Sequence, residues 1–123
     1  MVAPKDAQFS VEVAEEKDLP GVKALADLHR SELGFIPVAV FRESLSRRWL
    51  FVAKASDQIA GFVRFRHRRD RVTTLYDIAV SPDHRLMGIG TALLMALVED
   101  CQRHGQTAIY LKCPVDLPAN RFY

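Results

Sequence analysis

The chain has 123 residues, of which 49% are hydrophobic, and a formal net charge of +2. This length fits one domain with a hydrophobic core, and the composition excludes an intrinsically disordered chain. The small net charge does not by itself indicate a nucleic-acid partner. The sequence shows neither a membrane-spanning apolar run nor a signal peptide, so we expect a cytoplasmic protein with no membrane partner.

The N-terminal third predicts one strand followed by two helices. After a loose leader over residues 1–8, apolar residues alternate with polar ones from Phe9 to Val13, which is typical of a strand. Asp18 is suited to cap a helix whose first turn holds Pro20, and the helical spacing continues to Glu32 or Leu33. A second helix is predicted over residues 38–46, with Val38, Phe41 and Leu45 on one side.

The middle of the chain predicts three consecutive antiparallel strands. Hydrophobic runs over residues 49–55, 59–66 and 72–80 alternate with turns, and this order makes a meander. A long helix over residues 92–104 follows. It is expected to bury Leu93, Leu94, Leu97, Val98 and Cys101, and to turn Glu99, Asp100, Gln102 and Arg103 to solvent.

A fifth strand is predicted over residues 107–113. The strand–helix–strand order implies a parallel, right-handed crossover. We therefore expect an α/β (α+β) fold with a mixed sheet, in which an antiparallel meander is followed by a parallel crossover and helices cover both faces.

The segment between the third strand of the meander and the long helix carries the clearest chemical pattern. Gly88 and Gly90 stand at the helix start, and Arg85 precedes them. A helix N-terminus offers unpaired N–H groups and a partial positive charge, and glycine lets a phosphate come close. The alternative is a tight turn that happens to need two glycines. Gly90 is not followed by the lysine of a P-loop, and two glycines do not make a dinucleotide fingerprint.

At these residues the chain resembles the GNAT N-acetyltransferase superfamily. The pattern Arg-x-x-Gly-x-Gly, after a strand that ends Ile78-Ala79-Val80-Ser81-Pro82, is similar to the acetyl-CoA loop of that family. Residues 116–123, Asp-Leu-Pro-Ala-Asn-Arg-Phe-Tyr, resemble its next motif. One departure is Leu86, which stands where many members have another glycine.

The resemblance implies a set of functional residues and one co-substrate, acetyl-CoA. The fourth and fifth strands would splay apart around the pantetheine arm, and Tyr123 would protonate the leaving thiolate, with Asn120 near the pantetheine. The first helices would shape the acceptor side, where His29 and Glu32 are expected to share a helix face. The expected cofactor-binding residues are Ile78, Ala79, Val80, Arg85, Leu86, Met87, Gly88, Ile89, Gly90, Thr91 and Asn120.

Asp77 is the candidate general base or substrate-binding acid. It is the only acid of its strand, and a carboxylate inside a strand needs a partner. The alternative is a salt bridge to one of the hairpin arginines, with a base that acts through ordered water.

The densest positive charge surrounds the second hairpin. It is interpreted as a solvated hairpin tip, or as a patch for an acidic acceptor, cofactor phosphates or nucleic acid. Only Phe65 interrupts it, so a single-strand binding surface has weak support. The residues are Arg64, Arg66, His67, Arg68, Arg69 and Arg71.

No metal is expected, because no Cys or His pair has metal-ligand spacing. Cys101 and Cys113 do not form a disulfide framework and are expected to be reduced.

The best interpretation is therefore an N-acetyltransferase that moves an acetyl group from acetyl-CoA directly to a primary amine of a small molecule or peptide. The alternatives are a CoA-binding module of the same fold without turnover, and a small basic nucleic-acid-binding domain. The chain is expected to be one acyl-CoA-binding domain over residues 1–123 that lacks the family's last strands. An exposed edge of its fifth strand would then be covered by another molecule, for example in a homodimer.

Overall fold

The computed structural model describes residues 8–111. Short 3₁₀ turns at Glu16–Asp18 and Pro82–His84 precede the first and last helices. In chain order the elements are β1 (Ser10–Val13), α1 (Leu19–Leu28), α2 (Arg30–Leu33), α3 (Val38–Ser46), β2 (Leu50–Ala55), β3 (Gln58–His67), β4 (Val72–Val80), α4 (Ile89–Arg103) and β5 (Ala108–Leu111).

The five strands form one mixed sheet in the order β1-β2-β3-β4-β5. The pairs from β1 to β4 are antiparallel, and β5 runs parallel to β4 after the crossover through α4. Ser56 and Asp57 make the turn between β2 and β3 with φ of 51° and 64°. Such positive angles match the twist of a tight hairpin. The predicted fold class is confirmed.

Helices cover both faces of the sheet and bury one core on each. On the first face, α1 and α3 contribute Val22 and Phe41, which cluster with Phe62 of β3. On the second face, α4 contributes Leu93 and Leu97, in one cluster with other residues of β2 and β3. Residues of β2 and β3 alternate between the two cores because successive side chains of a strand point to opposite faces.

The buried face of α4 differs from the predicted one. The helix begins at Ile89, and its buried row continues through residues 93, 97 and 101 at intervals of one turn. Leu94 and Val98 are 40% and 37% exposed, so their predicted burial is wrong. Asp100 is only 7% exposed, although it was expected to face solvent, because His67 of β3 bonds to its carboxylate.

The first predicted helix is interrupted at His29. This residue has φ −103° and ψ 26°, which are not helical angles, and its N–H lies 3.1 Å from the carbonyl of Ala26. A separate short helix begins at Arg30. His29 and Glu32 therefore do not share a helix face, and that prediction is wrong.

Asp18 precedes α1 but its side chain does not cap that helix. Its carboxylate accepts a hydrogen bond from the N–H of Glu15 at 2.8 Å and pairs with Lys54 of β2 at 3.0 Å. Asp18 thus fixes the preceding turn to the sheet. The second predicted helix has the expected bounds, but Val38 is exposed and Ser44 is buried on its inner side.

Candidate active site at the junction of β4 and α4

The loop between β4 and α4 brings Arg85 and both glycines to the first turn of α4. Gly88 is the residue before the helix and has φ 80° and ψ 15°, a left-handed conformation that glycine adopts without strain. Ile89 is buried and anchors the helix start in the core. The predicted strand–loop–helix arrangement is present, with the helix beginning three residues before Ala92.

The first turn of α4 carries unused backbone donors. Its first hydrogen bond joins the N–H of Ala92 to the carbonyl of Gly88 at 3.0 Å. Within residues 8–111, no hydrogen bond uses the N–H groups of residues 88–91. The turn contains no acidic side chain, and no described carboxylate pairs with the exposed Arg85. Donors, helix dipole and guanidinium together suit a multiply charged anion.

The space beside these glycines is open to a ligand. A Cβ at Gly88 would have no heavy atom within 4 Å, and a Cβ at Gly90 would first meet Val80 Cγ2 at 3.7 Å. The packing of the protein itself therefore does not require glycine at position 90. The open position leaves room for a ligand close to the backbone of the helix start. These residues fit the diphosphate of a coenzyme.

Among the described residues, no strand pairs with one edge of β4 at the end next to this loop. The described part of β5 pairs with Val72–Leu75 only. Over Tyr76–Val80, β4 keeps its β3 neighbour, but the part of the chain that the structure describes provides no strand on the other side. Outward-facing peptide groups on such an edge can bond an extended ligand that carries amides.

A β-bulge at Tyr76 changes the face of the sheet to which the following side chains of β4 point. Arg64 of β3 is opposite Asp77, and the next residue of β3, Phe65, is opposite Leu75, so Tyr76 has no partner. Leu75 packs in the α4 core, whereas Ala79 packs in the core of α1 and α3. Bulges re-aim side chains in this way, and they are frequent next to active sites.

Asp77 forms a largely buried ion pair with Arg64. Arg64 Nε lies 2.6 Å from Asp77 Oδ2, and the two side chains are 15% and 9% exposed. Burial raises the pKa of the Asp77 carboxyl above its ordinary value, and the guanidinium offsets part of that rise. The predicted salt bridge to a hairpin arginine is thus present. A role of Asp77 as general base stays a prediction.

A cavity of about 440 Å³ lies on the α3 side of the bulge. The ring of Tyr76 lies against the Arg64 guanidinium, 4.5 Å from ring centre to Cζ, and Trp49 contacts Arg47 similarly at 5.4 Å. No sequence pattern indicates this cavity, because its walls come together only through the packing of α3 against the bulge. Its lining includes Val40, Glu43, Ser44, Arg47, Trp49, Arg64, Arg66 and Tyr76.

The predicted acceptor-side residues do not line this cavity. His29 is buried, and its Nδ1 lies 3.0 Å from the carbonyl of Leu25. Glu32 is exposed on α2. Their role in substrate binding stays a prediction. Asn120, Tyr123 and Cys113 lie outside the described residues.

The hairpin arginines do not form one continuous patch. Arg68 and Asp70 pair at the exposed tip at 2.7 Å, while Arg71 donates to the carbonyl of Gly105 at 2.9 Å. Arg64 and Arg66 line the cavity described above. The basic cluster seen in the sequence is therefore divided between the hairpin tip, the helix end and the cavity.

His67, Asp100 and His104 form a polar cluster at the other end of α4. Their potential ligand atoms all lie within 4.8 Å of one another. The prediction that the protein holds no metal rests on the spacing of Cys and His residues and leaves out aspartate as a ligand. The spacing of four between Asp100 and His104 is the signal that was missed, since residues four apart are neighbours on a helix.

Comparisons with known proteins were made for sequence and for structure. The family model described as the acetyltransferase (GNAT) family matches residues 16–123. A search of curated proteins finds no match. Within the described residues, no helix has the length and apolarity needed to cross a membrane.

Solved structures share the fold at low sequence identity. Ard1 from Thermoplasma volcanium is 21% identical with a TM-score of 0.84, over 94% of this chain and 79% of that one. A ribosomal-protein-alanine N-acetyltransferase from Brucella melitensis is 20% identical with a TM-score of 0.73, over 94% and 87%. Rv2747 from Mycobacterium tuberculosis, solved in complex with CoA, is 19% identical with a TM-score of 0.78, over 92% and 69%.

The family match covers most of the chain, and the loop geometry and the mixed sheet are consistent with it. This chain belongs to the acetyltransferase (GNAT) family.

Proposed function

We propose that this protein is an N-acetyltransferase that moves an acetyl group from acetyl-CoA directly to a primary amine. The observation that carries the proposal is the start of α4, where N–H groups that no described residue bonds, open glycine positions and Arg85 lie next to the end of β4. The family match and the CoA complex of Rv2747 support acetyl-CoA as the co-substrate.

In this proposal the loop and the end of β4 bind different parts of acetyl-CoA. Residues 85–91 hold the diphosphate, mainly through backbone N–H groups. Peptide groups of residues 78–80 bond the pantetheine arm, and one N–H there stabilises the oxyanion. Asn120 is proposed to contact the pantetheine arm as well. Acetyl-CoA supplies the acetyl group as a thioester, and the protein holds it still while an amine attacks.

Direct transfer requires two proton movements. The amine nitrogen forms a bond to the carbonyl carbon, the bond from carbon to sulfur breaks, and the amine loses a proton to a base. Asp77 takes that proton directly or through water, and Tyr123 protonates the thiolate. The cavity lined by Arg64 and Tyr76, next to Asp77 along the chain, receives the acceptor, which is the primary amine of a small molecule or a peptide.

A second candidate is a CoA-binding module of the same fold without turnover. The observation in its favour is the Asp77–Arg64 ion pair, since Arg64 Nε lies 2.6 Å from Asp77 Oδ2 and occupies an oxygen that would otherwise accept the proton of the amine. The nucleic-acid alternative has less support, because the arginines it would use are divided between separate sites. A cytoplasmic location stays a prediction.

Titration calorimetry of the full chain with acetyl-CoA, and separately with CoA, tests the cofactor site. We expect dissociation constants in the micromolar range for both, and loss of binding in Gly88→Glu, because a carboxylate would face the diphosphate. Gly34→Glu is the matched control. Gly34 also has a positive φ, 77°, and no atom within 4 Å of a Cβ, but it lies in the loop after α2. Equal losses in both variants would contradict the proposed site.

Release of free CoA in the presence of a panel of primary amines separates the two candidates. Turnover of an amine with acetyl-CoA supports the transferase. Binding of acetyl-CoA and of CoA without turnover of any amine supports the binding module. An Asp77→Asn variant with an unchanged pH–rate profile would remove Asp77 from the mechanism.

A further inference from the structure

We propose that His67, Asp100 and His104 form a binding site for a divalent transition-metal ion such as Zn²⁺, separate from the proposed acetyl-transfer site. His67 is the last residue of β3, while Asp100 and His104 lie one turn apart at the end of α4. The ligands of this site therefore come from both the sheet and the helix. The acetyl-CoA loop lies at the opposite end of the same helix.

The distances within this metal cluster are close to those of a coordination site. His67 Nε2 lies 2.7 Å and His104 Nδ1 lies 3.5 Å from Asp100 Oδ2. A tetrahedral ion with bonds of about 2.0–2.2 Å needs ligand atoms roughly 3.3–3.6 Å apart. Small rotations of the His67 and Asp100 side chains therefore open the space for the ion.

Two imidazoles and one carboxylate are a donor set that suits zinc and its neighbours in the periodic table. Three protein ligands leave a further position for water or an anion. Two hydrogens leave these atoms when the ion binds: the one between His67 Nε2 and Asp100 Oδ2, and the one that His104 Nδ1 donates to the backbone carbonyl of Asp100 at 2.8 Å. All three side chains then become ligands of the ion. The second oxygen, Asp100 Oδ1, keeps its bond to Arg103 Nη2 at 3.1 Å.

A hydrogen bond with Thr73 orients the ring of the buried His67. His67 Nδ1 lies 2.7 Å from the hydroxyl of Thr73, which is fully buried. In the ion-bound state Nδ1 donates its hydrogen to Thr73 Oγ1, which leaves the lone pair of Nε2 for an ion placed between the ring and Asp100. Partners of this kind fix the tautomer and the ring orientation of metal-bound histidines. The site is thus prepared on the sheet side without movement of the backbone.

The metal cluster can be reached from solvent. The His104 side chain is 57% exposed, and a cavity of about 380 Å³ is lined by Asp100 and His104. The carbonyl end of α4 favours a cation there. Arg47, Arg48 and Arg103 line the same cavity. Their charge weakens binding of a bare ion and favours an anion as its remaining ligand.

Zinc titration of the untagged full chain, followed by calorimetry and by thermal melting against a chelated sample, tests the site. We expect one ion per chain and a rise in Tm of about 5 °C or more at saturation. His104→Ala removes an exposed ligand, so the variant folds. We expect it to bind Zn²⁺ at least about tenfold more weakly, since even loss of an outer-shell partner costs about 10–100-fold. His84→Ala is the control, because that histidine lies outside the metal cluster, and it should retain full affinity.

Co²⁺ in place of Zn²⁺ identifies the ligand type. A spectrum of nitrogen and oxygen coordination without thiolate charge transfer supports the proposal, whereas thiolate bands would assign the ion to a cysteine. The proposal is overturned by no Tm shift in the wild-type chain. A zinc-induced Tm shift of the same size in His104→Ala would also overturn it.

Discussion

Leu86 is a residue whose backbone conformation does not suit its side chain. It has φ 68° in the loop before α4, and its side chain is fully exposed. A left-handed conformation costs a non-glycine residue roughly 1–2 kcal/mol, because Cβ approaches the following carbonyl. The position at which the sequence departs from the family pattern is therefore the position at which the loop geometry favours glycine.

Replacing Leu86 with glycine should stabilise the fold. Relief of the strain outweighs the greater chain entropy of glycine, about 0.5–1 kcal/mol, so we expect a gain of up to about 1 kcal/mol in the free energy of unfolding. Urea denaturation measures it. Met95→Gly is the control, since Met95 is also exposed but lies inside α4, and it should lose about 1 kcal/mol. A loss in both variants would contradict the assigned conformation at Leu86.

The Asp77 carboxyl should make stability depend on pH in a defined direction. Its folded-state pKa lies above the ordinary 3.8, because burial outweighs the effect of Arg64. Between 3.8 and the folded-state pKa, the folded state binds more protons than the unfolded state. The contribution of this residue to stability therefore falls as pH rises through that window.

Urea denaturation of the wild type and of Asp77→Asn across a pH series tests this direction. The stability of the wild type relative to the variant should decrease from acid pH up to the folded-state pKa and then stay constant. A relative increase over the same range would mean that the Arg64 ion pair dominates and that the pKa is lowered.

At the scale of elements, Gly61 determines how closely α4 lies against the sheet. A Cβ at this position of β3 would lie 2.9 Å from the carbonyl oxygen of Ala79, 2.9 Å from Ile89 Cγ2 and 3.1 Å from Leu93 Cδ1. These atoms belong to the end of β4 and the first turns of α4. The same close contact that packs the core therefore positions the loop over residues 85–91, the proposed site for acetyl-CoA.

Replacing Gly61 with alanine should reduce both stability and CoA binding. Overpacking of this kind costs about 1–3 kcal/mol, and a shift of the first turn of α4 moves the backbone donors. Chemical denaturation and titration calorimetry measure the two effects. Gly21→Ala in α1 is the control, because its Cβ would lie 2.5 Å from Ile59 Cγ1, away from the loop. It should lose stability but keep its affinity for CoA. If Gly61→Ala also kept that affinity, the packing of α4 would not position the site.

At the scale of the whole molecule, β2 and β3 form the wall between the two cores. Phe62 belongs to the core of α1 and α3, and its neighbour Val63 belongs to the core of α4. Neither core persists without the strands that both share. This is the physical reason to propose that the chain folds as a single domain.

The two cores should therefore unfold in one cooperative transition. Trp49, the only tryptophan, packs at the edge of the α4 core, so its fluorescence reports on that side, while far-UV circular dichroism reports on all helices. We expect denaturation curves from the two probes to coincide. Two separate midpoints would show that the cores are independent units. Assembly into a homodimer stays a prediction, and a monomer by light scattering at micromolar concentration would count against it.

Local patterns were enough to predict the main elements and the strand–loop–helix arrangement of β4 and α4. The bounds of α3 and β4 agree with the prediction, because alternation, helical spacing and the breakers Pro37 and Pro82 are properties of neighbouring residues. The helix face of α4 was predicted less well. Leu94 and Val98 have the same hydrophobicity as buried residues, and only the position of the helix on the sheet decides which are covered.

The sequence by itself determined the fold class, the family and the place of the glycine-rich helix start, since these depend on short-range order along the chain. The tertiary structure decided which side chains meet. Asp77 faces Arg64 only because a bulge at Tyr76 re-aims β4, and His67 reaches Asp100 only because β3 ends beside the last turn of α4. Such contacts join residues 13 and 33 positions apart, and no local pattern specifies them.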